Sequence, residues 1–317
     1  QGGDIPAVTD AHVALGRIDP DYFLGGAMKL DVGAARDAIQ RHVAAPAGLA
    51  MEQAAEGVLQ VVTAQMAAAI RLSLFEKGLD PADFTLVSFG GAGGLHACAT
   101  AAELGVSQVL FPRDPGTLSA WGMLYSNIVH DLARSRLLTA DRASVPALAE
   151  IVAGLEQEAT ALLAADGIEA ARRAMPLTLD LRYPGQAYEI PTPLDSADGL
   201  PAAVAEFHRR HQAQFAHAEP DVTPQFVTVR LAATGRLPKP RRTAIADGGD
   251  GAAKGTRAVY ADGEWRDLPI YERRRIAAGR VLAGPLIVEE PHATLFLPAR
   301  WTLRLLEQGE LLAEKVE

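Results

Sequence analysis

The sequence predicts an α/β protein that runs into a β-rich C-terminal region. Three observations carry that expectation. Residues 51–77 place Ala54, Val58, Val61, Met66, Ile70 and Leu74 on one broad apolar face at helical spacing. Phe84–Phe89, an apolar run rich in β-formers, enters the glycine loop Gly90-Gly91-Ala92-Gly93-Gly94. A helical stretch, Leu95–Leu104, and a second short strand, Val109–Pro112, then complete a parallel β-α-β crossover. Beyond residue 255 the chain breaks into short β-prone runs.

In chain order, residues 9–30 are polar and turn-rich, with breakers at Asp19-Pro20 and Gly25-Gly26. Gly78 stops the long helix and Gly105 the one after the glycine loop. Residues 113–135 read as a loop at Pro115-Gly116 and then turn more apolar. Residues 144–165 form an amphipathic helix opened by Ser144, with Pro146 in its first turn. Residues 176–190 alternate as a strand pair, 201–216 form a helix and 225–234 a strand. Residues 236–255, with Pro238, Pro240, Gly248, Gly249, Gly251 and Gly255, have the composition of a linker. Strands follow at 257–260, 264–269, 286–289, 294–297 and 302–306.

With 317 residues the chain has room for two or three domains. Its net charge of −9 and sparse aromatics argue against nucleic acid as a partner. Arg273-Arg274-Arg275 is a local basic patch or a solvated turn. Cys98 is the single cysteine, so no internal disulfide forms and a reducing cytoplasm fits. Its alanine neighbours make it a small core residue rather than a nucleophile. Cys/His clusters with zinc spacing are absent. No run of about 18 apolar residues predicts a membrane span, and the start lacks the pattern of a signal peptide. The opening Gln-Gly-Gly-Asp-Ile-Pro reads as the interior of a longer protein.

The glycine loop is the sharpest chemical signal. Glycines let a backbone approach a ligand closely, and a helix start offers free N–H groups and a positive dipole end. A tight strand-to-helix turn is the plainer reading. The loop lacks the Gly-Lys-Ser/Thr of a P-loop, and His96 stands where a dinucleotide fingerprint needs its third glycine. Packing on a base or ribose is therefore favoured over cradling phosphate. His96 and His12 are ligand contacts or helix-start packing residues. Arg182 could hold a carboxylate or phosphate, and Gln186 could read an amide; a β-turn at Pro184-Gly185 with exposed strand ends accounts for the same residues. Glu289 and Glu290 are adjacent on a strand, point to opposite faces and make a poor catalytic pair.

Four segments together resemble the hydantoinase A/5-oxoprolinase family. They are Thr9-Asp10-Ala11-His12 continuing through Leu15–Gly26, Phe89–Ala97, Asp180–Glu189, and Gly284–Pro291. They keep the family's order over nearly the whole chain. The chain departs where Gly94 replaces the usual Pro, and in the wording of Pro291–Thr294 and Pro298–Trp301.

The resemblance implies part of an actin-like ATPase lobe of the sugar kinase and heat-shock ATPase type over residues 1–137, an α+β domain over 138–240 and a β-rich domain over 241–317. It implies ATP-driven opening of a cyclic amide or imide, or a related ketone carboxylation, with a B-type subunit or domain as partner; a non-catalytic module that docks the B-type partner is the remaining alternative, and homo-oligomerisation stays open. Gly90, Gly91, Ala92, Gly93, Gly94 and His96 match the adenosine-side loop. Asp10 enters as a catalytic candidate through its motif, beside Arg182 and Gln186. ATP and Mg²⁺ are the cofactors implied for the full-length protein. The acidic, glycine-rich phosphate motifs are absent here, as no Asp-x-Gly-Gly-Thr occurs, so no metal ligand is assigned and no ATP turnover is expected of this chain alone.

Overall fold

Short polar caps set the first helices of the structure, a computed structural model that describes residues 3–241 and 251–316. α1 (Val8–Ala14) starts where the Asp10 carboxylate accepts the Ala7 N–H at 2.7 Å. α2 (Val32–Ile39) starts where Asp31 accepts the Ala34 N–H at 2.9 Å. A π-helical turn over Gln40–Ala44 leads into the short α3 (Ala45–Ala47), which Gly48 stops at φ 67°. α4 (Met51–Phe75) is the long helix read from the sequence.

The predicted crossover forms as β1 (Leu86–Val87), α5 (Gly93–Leu104) and β2 (Gln108–Phe111). β1 and β2 are parallel, with Leu86 opposite Val109. Then come α6 (Leu118–Tyr125), β3 (Ile128–Thr139), α7 (Val145–Ala165), β4 (Arg173–Ala174), β5 (Leu177–Arg182), β6 (Ile190–Leu194), α8 (Leu200–Phe215) and β7 (Gln225–Gly235). The last stretch holds β8 (Gly255–Ala261), β9 (Glu264–Glu272), β10 (Val281–Ala283), β11 (Leu286–Glu290), β12 (Ala293–Leu297), β13 (Trp301–Leu305) and β14 (Leu311–Lys315). α6 and the start of β3 lie in the stretch that the sequence reads as loop at Pro115-Gly116 and then as more apolar, without an assigned element.

The chain divides into two units. One joins residues 1–122 with 241–317, and the other is 123–240. The second unit is an antiparallel sheet in the order β3-β7-β5-β6, with β4 also on β7. Its core sets Leu148, Leu155 and Leu163 of α7 and Phe207 of α8 among Leu179, Val229 and other sheet residues.

The first unit has two sheets, β1-β2-β14-β13-β10 and β12-β11-β9-β8. β14 runs antiparallel to β2, with Leu311 opposite Phe111. The Tyr260 N–H donates to Leu15 O at 2.9 Å, and Gly16 (φ 75°) presses on Ala258 O so closely that a Cβ has no room. The β-rich end is thus folded into the same unit as residues 1–122. By contacts, the chain divides at 122/123 and at 240/241.

Two further expectations change. Arg273 is no solvated turn residue: it is buried, its Nε donates to Glu290 at 2.8 Å, and its Nη1 donates to Phe111 O and Gly309 O, each at 3.1 Å. Only Arg274, paired with Glu272, keeps the exposed role. By length and composition α4 is apolar enough to cross a membrane, against the sequence expectation. Its first turns nevertheless lie inside the unit, with Met51, Ala54, Ala55 and Leu59 buried. Gly248 and Gly249 of the expected linker lie outside the described residues.

Candidate functional site

The glycine loop carries β1 into α5, and its glycines do different jobs. Gly90 sits at φ 90° with open space around its missing Cβ. A Cβ on Gly91 would meet His292 O at 3.0 Å, and one on Gly94 would meet Thr294 O at 2.6 Å. The Thr294 N–H donates to Gly91 O at 3.2 Å. Two of the glycines therefore let the loop seat against the turn between β11 and β12. A Cβ on Gly93 would meet only the Ser88 hydroxyl, at 3.0 Å. No side chain caps α5, because Ala92 stands at its N-cap, so the start of the helix offers free N–H groups.

Cavities flank the loop on two sides. Next to the β11–β12 turn, a space of about 150 Å³ is lined by Gly91, Ala92, Asp19, Tyr22, Glu289 and His292. On the other side lies an open, mostly apolar groove of about 370 Å³ between α4 and α5, bordered by Met66, Ile70, Ser88, Phe89, Gly93 and His96. The groove has the character a base or ribose would use, with one aromatic ring and one glycine face.

His96 packs behind the loop. Its Nε2 lies 3.0 Å from Nε2 of His12, and both side chains are buried. One Nε2 must donate and the other accept, and burial beside Arg17 disfavours a protonated ring in the pair. Burial, then the charges of His96 and Arg17, hold the His12 imidazole down to about 2. His96 is lowered by burial and then by Arg17. Arg17 lies over the Phe296 ring at 4.5 Å and 3.7 Å from Glu56, whose acidity burial weakens. Arg17, Glu56, His96 and Gln60 line a separate pocket of about 260 Å³. His96 is thus the wall between that pocket and the groove. Arg17 and Glu56 were not singled out from the sequence: they stand 39 positions apart, and only the fold joins them.

The carboxylates near the loop are committed to cations. Glu289 accepts from Lys254 Nζ at 2.9 Å and from Arg257, which also reaches Asp19 at 2.9 Å. Glu290 pairs with Arg273 on the opposite side of β11. The alternation expected of adjacent strand residues holds, and each partner set differs. Among the described residues, no group of three His, Cys, Asp or Glu side chains is placed to hold a metal ion.

The remaining candidates fall in separate places. Asp10 is on α1 in the first unit, where it caps its own helix. Arg182 and Gln186 belong to the second unit. Arg182 Nη1 donates to Glu189 at 3.1 Å. Gln186 donates its N–H to Tyr183 O at 3.1 Å, closing a turn over Pro184 and Gly185 with Gly185 at φ 85°. Its side chain lies 3.2 Å from His211 Nε2. Cys98 is buried and its thiol is pushed up by burial, as a core residue requires.

Comparison with known proteins gives these segments a common frame. The family model described as hydantoinase/oxoprolinase matches residues 1–132, and its C-terminal domain model matches residues 139–312. The chain belongs to the hydantoinase/oxoprolinase family. As a hydantoinase/oxoprolinase chain it is similar to the caprolactamase subunit alpha of Pseudomonas jessenii, 33% identical over 96% of this chain and 46% of that protein. It is similar to 5-oxoprolinase 1 of Arabidopsis thaliana, 27% identical over 99% of this chain and 26% of that protein. The solved nucleotide-free structure of acetone carboxylase matches its fold with a TM-score of 0.83 at 24% identity, over 98% of this chain and 46% of that one. The chain thus spans about half the length of the caprolactamase subunit. The match confirms a mixed α/β fold of this type.

Proposed function

We propose that this chain contributes the adenosine side of an ATP site in an enzyme that opens a cyclic amide or imide. In that reaction water adds across a ring C–N bond, leaving a carboxylate and an amine from a cyclic amide or a carboxylate and an amide from an imide, while ATP is hydrolysed to ADP and phosphate. The observation that carries the reading is the loop itself: an uncapped helix start and Gly93 facing a groove that holds Phe89. Family membership supports it, since the relatives include a caprolactamase and a 5-oxoprolinase. The actin-like ATPase lobe implied by the resemblance supplies the rest of the reading: Gly90–Gly94 and His96 serve the nucleoside, and phosphate and Mg²⁺ are held elsewhere. Asp10, Arg182 and Gln186 are the proposed substrate-side residues, and a B-type subunit is the proposed partner. That the related proteins are named as subunits supports a partner.

The test is adenosine-nucleotide binding by the 317-residue chain, beside ADP release by the complete gene product with its B-type partner. Hydantoin, 5-oxoproline and caprolactam are offered in turn, then ketones with bicarbonate. The chain is expected to bind nucleotide without releasing ADP, and ring opening in the complete system is expected to need ATP. Steady ADP release by the purified chain overturns the divided site. Turnover with ketones and bicarbonate alone moves the reaction to carboxylation, a reading supported by the similarity to the acetone carboxylase beta subunit.

A further inference from the structure

Arg17 enters the pocket it shares with Glu56, Gln60 and His96 already fixed in place. Its backbone N–H donates to His12 O at 2.9 Å, and its guanidinium lies 4.5 Å from the centre of the Phe296 ring. Its hydrogen-bonding capacity is nonetheless unspent. Nε is buried without a partner, and Nη2 stops 3.7 Å from Glu56, beyond hydrogen-bonding distance. Burial disfavours the charged form of both groups, and neither charge fully restores the other. The pair is therefore open to a ligand that brings its own charges.

The remaining wall is small and polar. α4 adds Gln60, Thr63 and Ala64, and α5 adds Ala99 and Glu103. At about 260 Å³ the space exceeds a single bridging water, whose share of liquid volume is about 30 Å³, and falls below the roughly 300–1,000 Å³ of a drug-sized site.

Charge selects the occupant. A plain anion would meet the carboxylates of Glu56 and Glu103, and a plain cation would meet Arg17. An uncharged ligand would leave Arg17 and Glu56 under-paired. A zwitterion answers both signs with charge-assisted hydrogen bonds. Arg17 and Glu56 lie side by side, so the ligand's two charges are neighbours as well, as they are in the head group of an α-amino acid.

We infer that this pocket binds a free α-amino acid, its carboxylate on Arg17 and its ammonium on Glu56, with room along α4 for a short side chain. The site goes beyond the ATP-site reading and does not rest on it.

The test is titration of the 317-residue chain, without nucleotide, with L-alanine and L-serine, and with acetate and ethylamine as half-ligands. Calorimetry reads affinity, and amide NMR shifts read position. The amino acids should bind at least about tenfold more tightly than either half-ligand. They should move amides of residues 59–64 and 96–99. Glu56→Gln should remove the preference for an amino acid over acetate. Ala64→Phe fills the pocket from exposed α4 surface, leaves Arg17 and Glu56 in place, and should abolish binding. Neither variant removes Arg17, so folding of the first unit is kept out of the comparison. Absence of amino-acid binding overturns the inference and leaves a water-bridged ion pair. So does acetate binding as tightly as the amino acids, or amino-acid affinity unchanged by Ala64→Phe. Shifts confined to Ile70 and Phe89 of the groove also overturn it.

Discussion

His12 and His96 hold each other through Nε2 atoms 3.0 Å apart, although 84 positions separate them in the chain. The contact ties α1 to the first turn of α5, behind the glycine loop. Nδ1 of His12 is buried without a partner, and Arg17 is close enough to lower both imidazoles. A proton added to this pair would be a second buried positive charge beside Arg17.

Acid should therefore loosen the first unit. His12 stays neutral in the folded chain down to about 2 but titrates near 6.5 when unfolded. Between those values the unfolded state binds more protons, so stability falls as pH drops below 6.5 and is unaffected by this group above it. The slope from His12 alone is about 1.4 kcal/mol per pH unit. His12→Gln keeps a hydrogen-bonding group beside His96 and removes the titration. Urea midpoints at pH 7.5, 6 and 5 should converge less for wild type than for the variant; identical pH profiles refute the argument.

The loop glycines should separate by cost. Gly94→Ala drives a Cβ into Thr294 O, a backbone atom fixed by β12, and should cost about 1–3 kcal/mol. Gly90→Ala meets nothing but must hold φ 90°, a strain of about 1–2 kcal/mol. Gly93→Ala displaces only a hydroxyl that can rotate, so its melting temperature should move least. If nucleotide uses the groove, Gly93→Ala weakens binding while remaining well folded. Thermal melts and nucleotide titrations of the three variants decide this.

Local features were legible in the sequence and distant ones were not. α4 emerged from its apolar periodicity and the β-α-β unit from a glycine loop between two β-prone runs. The pairing of β14 with β2 was not legible, because nothing local in Leu311–Lys315 names Phe111 as its neighbour. α6 was not assigned because Pro115 and Gly116 precede it and its apolar residues show no helical period on their own. In the candidate site the glycine loop and His96 were visible. Their support was hidden: Arg17 gains its roles from Glu56 and Phe296, and Gly91 and Gly94 answer to a turn about 200 residues away.

In the second unit, structural and substrate roles of the two candidates can be told apart. Gln186→Ala leaves the buried His211 Nε2 without its partner and should cost about 1–3 kcal/mol. Arg182→Ala removes a partly exposed pair with Glu189 and should cost about 0.2–1 kcal/mol. Catalytic rates of the complete enzyme add the second axis. A substrate role for Arg182 requires a rate loss much larger than its small stability loss, and an unchanged rate removes it as a candidate.

Arg273 and Glu290 form the costliest pair to break. Both are largely buried, and burial raises Glu290 against the opposing pull of Arg273. Arg273→Met strips Glu290 of its cation and also leaves Phe111 O and Gly309 O without their shared donor. The expected loss at pH 7.5 is about 3–5 kcal/mol. In that variant Glu290 should rise further, so the folded state binds a proton that the unfolded state releases. Stability lost at pH 7.5 should then partly return as pH falls towards 5.5, opposite to the histidine effect. Adding Glu290→Gln should give the same partial recovery at pH 7.5 and remove the acid rescue. A single Arg273→Met variant as stable as wild type at pH 7.5 would show that the pair contributes nothing to holding β11 against β2 and the turn before β14.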